Sequence, residues 1–489
     1  MPFPHTRPMS SYWLSRHNLT TSPGDDFSGH RSTPELPREV DVAIIGSGFS
    51  GTAVAWYLVN DDDESSGGGP TTTTPPSVLM LEARQACSGA TGRNGGHVKP
   101  DLYFNAPLYS EKHGRRVAEE LTRFEMRQVF DLKRLIEREN IDCDFELTRA
   151  IDVYTDERVA GPVVEGYKRM KIEGYEFPDD LHFVPGDGGK AEQVSGVKGA
   201  LCAFSSTAAS VWPFKMVMGL LKRVLAKGVN LQTDTTVESI EKDGDDRWIL
   251  RTERGTVKAK KVVVTTNAYT PALLPEFQGK ITPARGVACR IAVPESESGP
   301  DRAGGNTLAR VPSTAPHLNN TYSIRFGPQE YDYLVARTDG SIVVGGAKQK
   351  VLLDDSYWRD NTDDSAMIPG AEEYFEGYMQ RTFHGWEDTK ARVTDIWTGV
   401  MGYSADLMPW VGAVPGRQGV FVSAGFTGHG MPRILGCAEA LAGLVSGKAK
   451  GMQETGVPKP YWVTEHRLSE TRDISREYMA GGRPKESKL

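Results

Sequence analysis

Short apolar runs that do not alternate with polar residues mark the first strands of the chain. Residues 40–45 read Val-Asp-Val-Ala-Ile-Ile, and residues 78–81 read Val-Leu-Met-Leu. Runs of this kind are typical of a parallel sheet that is covered on both faces. A glycine-rich turn at 46–51 and an apolar stretch at 52–60 lie between them, so the pattern predicts a strand–helix–strand unit. The Asp-, Gly- and Thr-rich stretch 61–77 is interpreted as a loop inserted into this unit.

Longer apolar periodicities predict the remaining elements. Apolar residues three to five positions apart predict a helix over 107–140, and a similar apolar face followed by a glycine predicts a second helix over 213–228. A final helix is predicted over 429–446, after another glycine-rich turn. Further strands are predicted at 229–240, 248–252, 257–264, 341–345 and 393–400.

The composition indicates a folded chain with more than one structural unit. Its 489 residues exceed what one compact core holds, and we expect two to four units. The 57 Lys and Arg residues against 64 Asp and Glu residues give a net charge of -7, which argues against a nucleic-acid binder held by a broad basic face. No run of 18 apolar residues occurs, so no membrane-spanning helix is predicted.

Targeting signals and cysteine usage give an expectation for the compartment. The first residues lack the apolar segment that directs secretion, so secretion is not expected. The chain ends in Ser487-Lys488-Leu489, the tripeptide of a peroxisomal import signal. We therefore expect peroxisomal localisation, with an import receptor as a partner. The five scattered cysteines are expected to be reduced, mostly buried thiols.

The first glycine-rich turn has the spacing of a dinucleotide-binding site. Gly46 permits the tight turn, Gly48 lets the backbone approach a pyrophosphate, and Gly51 lets the helix and strand pack closely. The start of the following helix offers free N–H groups to phosphates. Glu82 ends the second strand, where a carboxylate accepts hydrogen bonds from a ribose diol. The pattern predicts a bound dinucleotide, and the small residues at 83–97 are typical of backbone that passes close to a large flat ligand.

Four blocks of sequence resemble the flavin-dependent D-amino-acid-oxidase superfamily, in the branch that contains γ-glutamylputrescine oxidase, sarcosine oxidase and saccharopine or pipecolate oxidases. The blocks are residues 42–51, 88–96, 262–270 and 425–432. The resemblance covers most of the chain, from residue 38 to about residue 450. It implies that the dinucleotide is FAD rather than NAD.

The fold class that this resemblance implies combines α/β and α+β structure. A Rossmann-like FAD-binding domain of the glutathione-reductase type, with three layers, carries an inserted substrate domain built on an antiparallel sheet. The implied division of the chain is an N-terminal arm at 1–37, an FAD-binding domain at 38–110, 200–290 and 393–450, a substrate domain at 111–199 and 291–392, and a C-terminal tail at 451–489.

The resemblance also implies which residues contact FAD. Ser88, Ala90 and Thr91 are expected on the pyrophosphate, and the backbone of Val237 is expected beside the adenine. Relatives with covalent flavin have a cysteine in the region that matches 399–409, and none is present here, so non-covalent FAD is expected. The residues expected at the cofactor are Gly46, Gly48, Phe49, Ser50, Gly51, Glu82, Ala83, Arg84, Ser88, Ala90, Thr91, Arg93, Asn94, Gly95, Gly96, His97, Val237, Asn267, Gly425, Thr427, Gly428, His429, Gly430 and Met431.

Four side chains are candidates for catalytic roles, namely His97, Lys348, Tyr403 and His429. His429 either acts as an acid or base or braces its own loop through hydrogen bonds. Lys348 either places a positive charge near the flavin, which would help oxygen to accept electrons, or is a solvated surface lysine. No metal-ligand cluster is predicted.

The expected reaction is oxidation of a C–N bond in an amine or a secondary amino acid, with O2 as the electron acceptor and H2O2 as the product. A dehydrogenase that uses another acceptor, an enzyme that tailors a specialised metabolite, and a non-catalytic FAD-holding protein remain alternatives. Sarcosine oxidases hold the substrate carboxylate at positions that are His97 and Pro432 here, so this clamp is missing or is rebuilt with Arg433. A set of aromatic residues is expected either to face an amine over the flavin or to be ordinary core: Tyr322, Tyr331, Tyr333, Tyr357, Trp358 and Trp386.

Overall fold

The computed structural model of the protein describes residues 3–15, 27, 29–60, 76–244, 246–293, 315–328 and 330–479. Within these ranges the strands are β1 (Glu39–Ile45), β2 (Val78–Leu81), β3 (His97–Val98), β4 (Glu146–Tyr154), β5 (His182–Pro185), β6 (Cys202–Ser210), β7 (Asn230–Gln232), β8 (Val237–Asp243), β9 (Arg247–Thr252), β10 (Gly255–Val264), β11 (Ile281–Ala292), β12 (Thr321–Gly327), β13 (Glu330–Ala336), β14 (Ile342–Gly346), β15 (Arg392–Ser404), β16 (Trp410–Ala413) and β17 (Val420–Ala424).

The α-helices in the same ranges are α1 (Phe49–Val59), α2 (Ala106–His113), α3 (Arg115–Arg138), α4 (Glu157–Ile172), α5 (Lys190–Ser195), α6 (Pro213–Ala226), α7 (Thr270–Leu273), α8 (Lys348–Val351), α9 (Asp355–Trp358), α10 (Ala371–Phe375), α11 (Tyr378–Thr382), α12 (Ile434–Ser446), α13 (Glu465–Ser469) and α14 (Ser475–Met479).

The first sheet has the order β16-β17-β10-β1-β2-β7, and its central strands are parallel. Val42 and Ile44 point to the side of α1, α6 and α12, whereas Ala43 and Ile45 belong to a second apolar cluster with β8 and β9. Both faces of β1 are therefore buried, which is the physical reason for its uninterrupted apolar sequence. The prediction of a parallel strand–helix–strand unit is confirmed.

The second sheet has the order β15-β11-β14-β13-β12-β4-β6-β3, with β5 beside β6. All neighbouring strands in it are antiparallel except β4 and β12, which are parallel. The predicted fold class, a Rossmann-like unit with an antiparallel-sheet unit, is confirmed apart from this one parallel pair.

Four strands from ranges assigned to the FAD-binding domain pair in the second sheet instead, namely β3, β6, β11 and β15. An apolar pattern identifies a strand but does not specify the strand with which it pairs, because hydrogen bonding in a sheet joins residues that are far apart in the chain. The predicted domain ranges therefore do not coincide with the two sheets. The domain boundaries stay a prediction.

Most predicted bounds differ from the structure by a few residues, and three predicted elements differ in a way that has a physical cause. The helix predicted over 107–140 is two helices, α2 and α3, because Gly114 lies between them with φ +85°. The strand predicted over 229–240 is interrupted after β7 and resumes as β8. The last helix starts at Ile434 rather than His429, since the preceding residues form turns.

The thiols agree with the expectation from the sequence. All five cysteines are free and buried, which confirms that prediction. No helix in the part of the chain that the structure describes is long and apolar enough to cross a membrane.

Gly51 is a sensitive point for stability, because a Cβ there would lie 2.0 Å from the Gly46 carbonyl oxygen. We expect Gly51→Ala to lower the free energy of unfolding by about 1–3 kcal/mol, the usual cost of overpacking. The midpoint of thermal unfolding should fall accordingly. Gly244→Ala is the matched control, since a Cβ at Gly244 meets no atom within 4 Å. Equal midpoints for the two variants would contradict the close approach of α1 to the turn.

Candidate active site

A cavity of about 750 Å³ is lined by residues of both sheets. Its volume lies in the usual range for small-molecule and cofactor sites. All but four of the predicted cofactor residues line it, as do the four predicted catalytic residues. The exceptions are Gly51, Ser88, Gly96 and Gly425.

The start of α1 opens onto this cavity. Its N-cap, Gly48, has no side chain to accept from the first N–H groups, and a Cβ there would lie 3.1 Å from Thr91 Oγ1. The Phe49 N–H donates to Thr91 Oγ1 over 3.0 Å. Unshielded N–H groups and the helix dipole both favour an anion at this position.

The Glu82 carboxylate is held in place at the end of β2. Its Oε2 accepts hydrogen bonds from the Ser47 backbone N–H at 3.0 Å and the Ser47 hydroxyl at 2.7 Å. Its Oε1 accepts from the Arg84 N–H at 3.0 Å. Each carboxylate oxygen has further acceptor capacity, so Glu82 is available to hydroxyl donors in the cavity.

Two buried arginines share one carboxylate beside the same end of the cavity. Arg84 Nη1 lies 2.9 Å from Asp364 Oδ2, and Arg93 Nε lies 3.6 Å from the same oxygen. Burial lowers the pKa of Arg93 to about 10, which leaves it charged at neutral pH. The nitrogens of Arg93 also donate to backbone carbonyls, so this buried group of charges fixes the backbone around Arg93 beside the cavity.

The four predicted cofactor residues outside the cavity lining have packing or hydrogen-bonding roles. Gly51 allows α1 to approach the Gly46 carbonyl, and Gly96 lies against the backbone of Val211. The Ser88 carbonyl accepts from Arg93 Nε at 2.9 Å. The Gly425 N–H donates to Asn267 Oδ1 at 2.9 Å.

His429 and Arg433 both bind one buried carboxylate, that of Glu125 on α3. His429 Nε2 lies 2.8 Å from Glu125 Oε2, and the Arg433 guanidinium lies 2.7 Å from Glu125 Oε1. Burial alone would raise the pKa of Glu125, but Arg433 and His429 outweigh it and bring it to about 2. The charge of Arg433 is therefore matched by a neighbouring carboxylate, and the arrangement favours His429 as a brace of its loop.

The other predicted catalytic residues lie at separate points of the cavity. His97 Nε2 lies 2.8 Å from Thr321 Oγ1, and burial, with Lys99 and His429 nearby, holds the pKa of His97 well below its usual range. Burial and the charge of Arg325 lower the pKa of Lys348 to about 8. Lys348 is thus not a solvated surface lysine. Burial raises the pKa of Tyr403, which stays protonated.

Arg325, which the sequence did not single out, faces the cavity from β12. Its guanidinium carbon lies 3.6 Å from the centre of the Phe104 ring and 4.5 Å from that of Tyr331. Among the described residues no carboxylate forms an ion pair with it. Lys99, by contrast, is paired with Asp152 at 2.9 Å. In the sequence, Arg325 is only one of the alternating side chains of β12, and this alternation does not show which face of the strand lies at a cavity.

The set of aromatic residues divides between cavity and core. Tyr331 and Tyr333 line the cavity, whereas Tyr322, Trp358 and Trp386 are buried in the apolar cluster beside the second sheet and Tyr357 packs against it. Tyr478 of α14 also lines the cavity, and its hydroxyl accepts from Asn105 Nδ2 at 3.2 Å. Of the two alternatives, ordinary core therefore holds for four of the six residues, and a position at the cavity holds for Tyr331 and Tyr333.

The structure is similar to several solved flavoenzymes. It matches glycine oxidase from Geobacillus kaustophilus with a TM-score of 0.66 and 19% identity, over 88% of this chain and 100% of that one. It matches L-proline dehydrogenase from P. horikoshii with a TM-score of 0.62 and 17% identity, over 87% and 98% of the two chains. At this identity the likeness concerns the fold.

Sequence relatives point in the same direction. A Rhizobium meliloti (strain 1021) protein described as probable oxidoreductase OrdL is 25% identical over 451 residues, which are 88% of this chain and 90% of that protein. Gamma-glutamylputrescine oxidoreductase of Escherichia coli (strain K12) is 24% identical over 230 residues, which are 47% and 49% of the two chains.

Residues 41–444 match the DAO family, described as FAD dependent oxidoreductase, and this range is most of the chain. The predicted resemblance is confirmed, as is the prediction that FAD rather than NAD is the cofactor. The chain therefore belongs to the DAO family of FAD-dependent oxidoreductases.

Proposed function

We propose that this enzyme oxidises the C–N bond of an amino compound that carries an anionic group, with O2 as the electron acceptor. The observation that carries the proposal is the pair of cavity cations, Arg325 and Lys348, with which no carboxylate among the described residues forms an ion pair. The charge of Asp332 favours protonated Lys348, but burial and the charge of Arg325 outweigh it, so that the pKa of Lys348 is lowered. Several relatives and structural neighbours have names that indicate amino compounds, including glycine oxidase and gamma-glutamylputrescine oxidoreductase.

The residues at one end of the cavity fit FAD. The start of α1, with Ala90 and Thr91 of the cavity lining, would receive the diphosphate, and Glu82 would accept hydrogen bonds from the ribose. Because residue 48 is glycine, the space beside Thr91 that a Cβ at this position would occupy stays free for the cofactor. FAD, when bound, supplies the two-electron oxidation of the C–N bond.

The chain's own side chains orient the substrate. A carboxylate that is desolvated without a charged partner costs several kcal/mol. The clamp positions of sarcosine oxidases carry no cation here, and Arg433 is already bound to Glu125, so Arg325 and Lys348 are the partners we assign to the anionic group. The arrangement suits an amine whose anionic group lies at a distance from the reacting carbon better than it suits sarcosine.

The overall reaction removes two electrons and two protons from the substrate. A carbon–nitrogen single bond becomes an imine, which water hydrolyses to a carbonyl compound and an amine. The two electrons and two protons pass to O2, which becomes H2O2. A dehydrogenase with another acceptor is the second candidate, because the same fold occurs in the L-proline dehydrogenase of P. horikoshii.

The cofactor is proposed to be non-covalent. None of the five cysteines, all of which lie in the described ranges, lines the cavity. Acid precipitation of the yellow protein should therefore release FAD into the supernatant. Treatment with phosphodiesterase and chromatography of the supernatant identify FAD. Flavin that remains in the washed pellet would contradict the proposal.

Arg325 is expected to select the anionic group of the substrate. We expect kcat/KM for γ-glutamylputrescine, saccharopine or pipecolate to exceed that for sarcosine. Arg325→Met should lower kcat/KM for the best of them by roughly ten- to hundredfold, the effect of losing a hydrogen bond to a charged group. Arg251→Met is the control, since Arg251 is exposed on β9. Sarcosine as the best substrate of the four, or equal losses in the two variants, would contradict this assignment.

Lys348 is expected to assist the reaction with O2 while it is protonated. Because its pKa is lowered to about 8, it loses its charge as the pH rises through that value. The rate constant for the reaction of the reduced enzyme with O2 should therefore fall above about pH 8, as stopped-flow absorbance would show. In Lys348→Met this rate constant should be low at every pH. In Lys350→Met, on the same helix, it should equal that of the wild type. A rate without pH dependence in the wild type would remove Lys348 from this role.

Peroxisomal import is a further part of the proposal. Ser487-Lys488-Leu489 lies outside the described residues, and its support is the tripeptide itself. A fluorescent protein fused to the N-terminus leaves the tripeptide at the C-terminus and should concentrate in peroxisomes. Deletion of the three residues should leave an active enzyme in the cytosol. Peroxisomal fluorescence after the deletion would mean that another signal acts.

A further inference from the structure

Residues 3–15 are the first described part of the predicted N-terminal arm, and 'the arm' denotes these residues from here on. They lie against the loop 88–97 that leads into β3. The family match begins only at residue 41, so the arm is outside it. The loop carries several predicted FAD residues, and residues on both sides of it line the cavity. The contacts between arm and loop therefore concern the cofactor site.

Three hydrogen bonds join the arm to consecutive residues of the loop. Ser11 Oγ donates to the Gly92 carbonyl over 2.6 Å. Trp13 Nε1 donates to the Asn94 carbonyl. In the third hydrogen bond, Arg93 Nη2 of the loop donates to the Met9 carbonyl of the arm over 2.6 Å. Because the loop is rich in glycine, such contacts remove conformational freedom that its own sequence leaves open.

The arm is anchored in an aromatic cluster. Trp13 is fully buried, with ring centres 5.3 Å from Trp212 and 6.4 Å from Trp397. Trp397 Nε1 in turn donates to the Arg93 carbonyl over 2.8 Å. The loop is thus held between the arm and β15.

The beginning of the arm reaches the cavity itself. Phe3 and Pro4 are among its lining residues, and Phe3 is 39% exposed. Arg84 Nη1 donates to the His5 carbonyl over 3.2 Å, which places this part of the arm beside the Arg84 end of the cavity. A dinucleotide bound along Glu82 and Arg84 would cover the exposed ring of Phe3.

We propose that the arm is part of the FAD-binding site. Phe3 and Pro4 form a wall of the site, and Ser11 and Trp13 are positioning residues that hold the loop 88–97 in its binding conformation. The arm also obstructs release of the cofactor, since FAD at this place is enclosed between the arm, the loop and the end of β2. The inference rests on the proposed placement of FAD along Glu82, Arg84 and this loop.

The test measures FAD affinity and FAD release, and it needs no amine substrate. Apoprotein of each variant is titrated with FAD, and release after dilution is followed by the fluorescence of free FAD. We expect Phe3→Ala and Ser11→Ala each to raise the dissociation constant up to about tenfold, the effect of one lost neutral contact. A chain that begins at Met9 retains Trp13 and should release FAD faster than either point variant.

Thr6→Ala is the matched control, because Thr6 is an exposed residue of the same arm. Its FAD affinity should equal that of the wild type. Thermal unfolding of the apoproteins separates a binding role from a packing role for Phe3, whose ring is partly exposed, since Phe3→Ala should leave the apoprotein midpoint unchanged. Ser11→Ala should lower the midpoint as well as the FAD affinity, because the buried Gly92 carbonyl loses its donor. Wild-type FAD affinity in both point variants would overturn the proposal. Lack of amine oxidation by the intact enzyme would count against the proposed function and leave these affinities unaffected.

Discussion

The buried carboxylate of Asp364 is the point at which the parts of this enzyme meet. This carboxylate binds Arg84 at the end of β2 and lies near Arg93 of the loop 88–97. The backbone carbonyl of Asp364 accepts a hydrogen bond from the Met9 N–H of the arm at 2.9 Å. A buried charge requires a partner, so the segment around Asp364 is held against the nucleotide unit. Two guanidinium groups share this one carboxylate, which thereby joins the end of β2 to the loop 88–97.

The other cations of the cavity fall into two groups, those with a carboxylate partner and those without an ion pair among the described residues. Arg433 and Lys99 each have a carboxylate within 2.9 Å, and their charges stabilise the packing of α3 and β4 against neighbouring segments. Arg325 lies between two aromatic rings instead, and Lys348 is close enough to it for their charges to repel. Neither cation forms an ion pair with a carboxylate of the described residues, and for this reason the proposed anionic group of the substrate is assigned to them.

The ends of the described chain complete a cavity whose main walls come from the family fold. The arm supplies Phe3 and Pro4, and α14 supplies Tyr478, although the family match covers only residues 41–444. Asp473, just before α14, forms an ion pair with Arg359 at 2.6 Å and so ties this end to the second sheet's helices.

The sequence by itself determined the nucleotide-binding half of the molecule. The glycine spacing, the apolar strands and Glu82 are local features, since a turn, a helix start and a strand end follow one another within one short segment. The position of His429 and Arg433 was decided by tertiary structure, because their partner Glu125 lies about three hundred residues earlier, on α3. Strand pairing was decided in the same way: β15 was predicted as a strand at 393–400, whereas β6 and β11 were not predicted, and long-range hydrogen bonds assign all three to the second sheet. Arg325 and Tyr478 were not predicted as site residues for the same reason, since burial and the absence of a charged partner are properties of the folded chain and leave no mark in the local sequence.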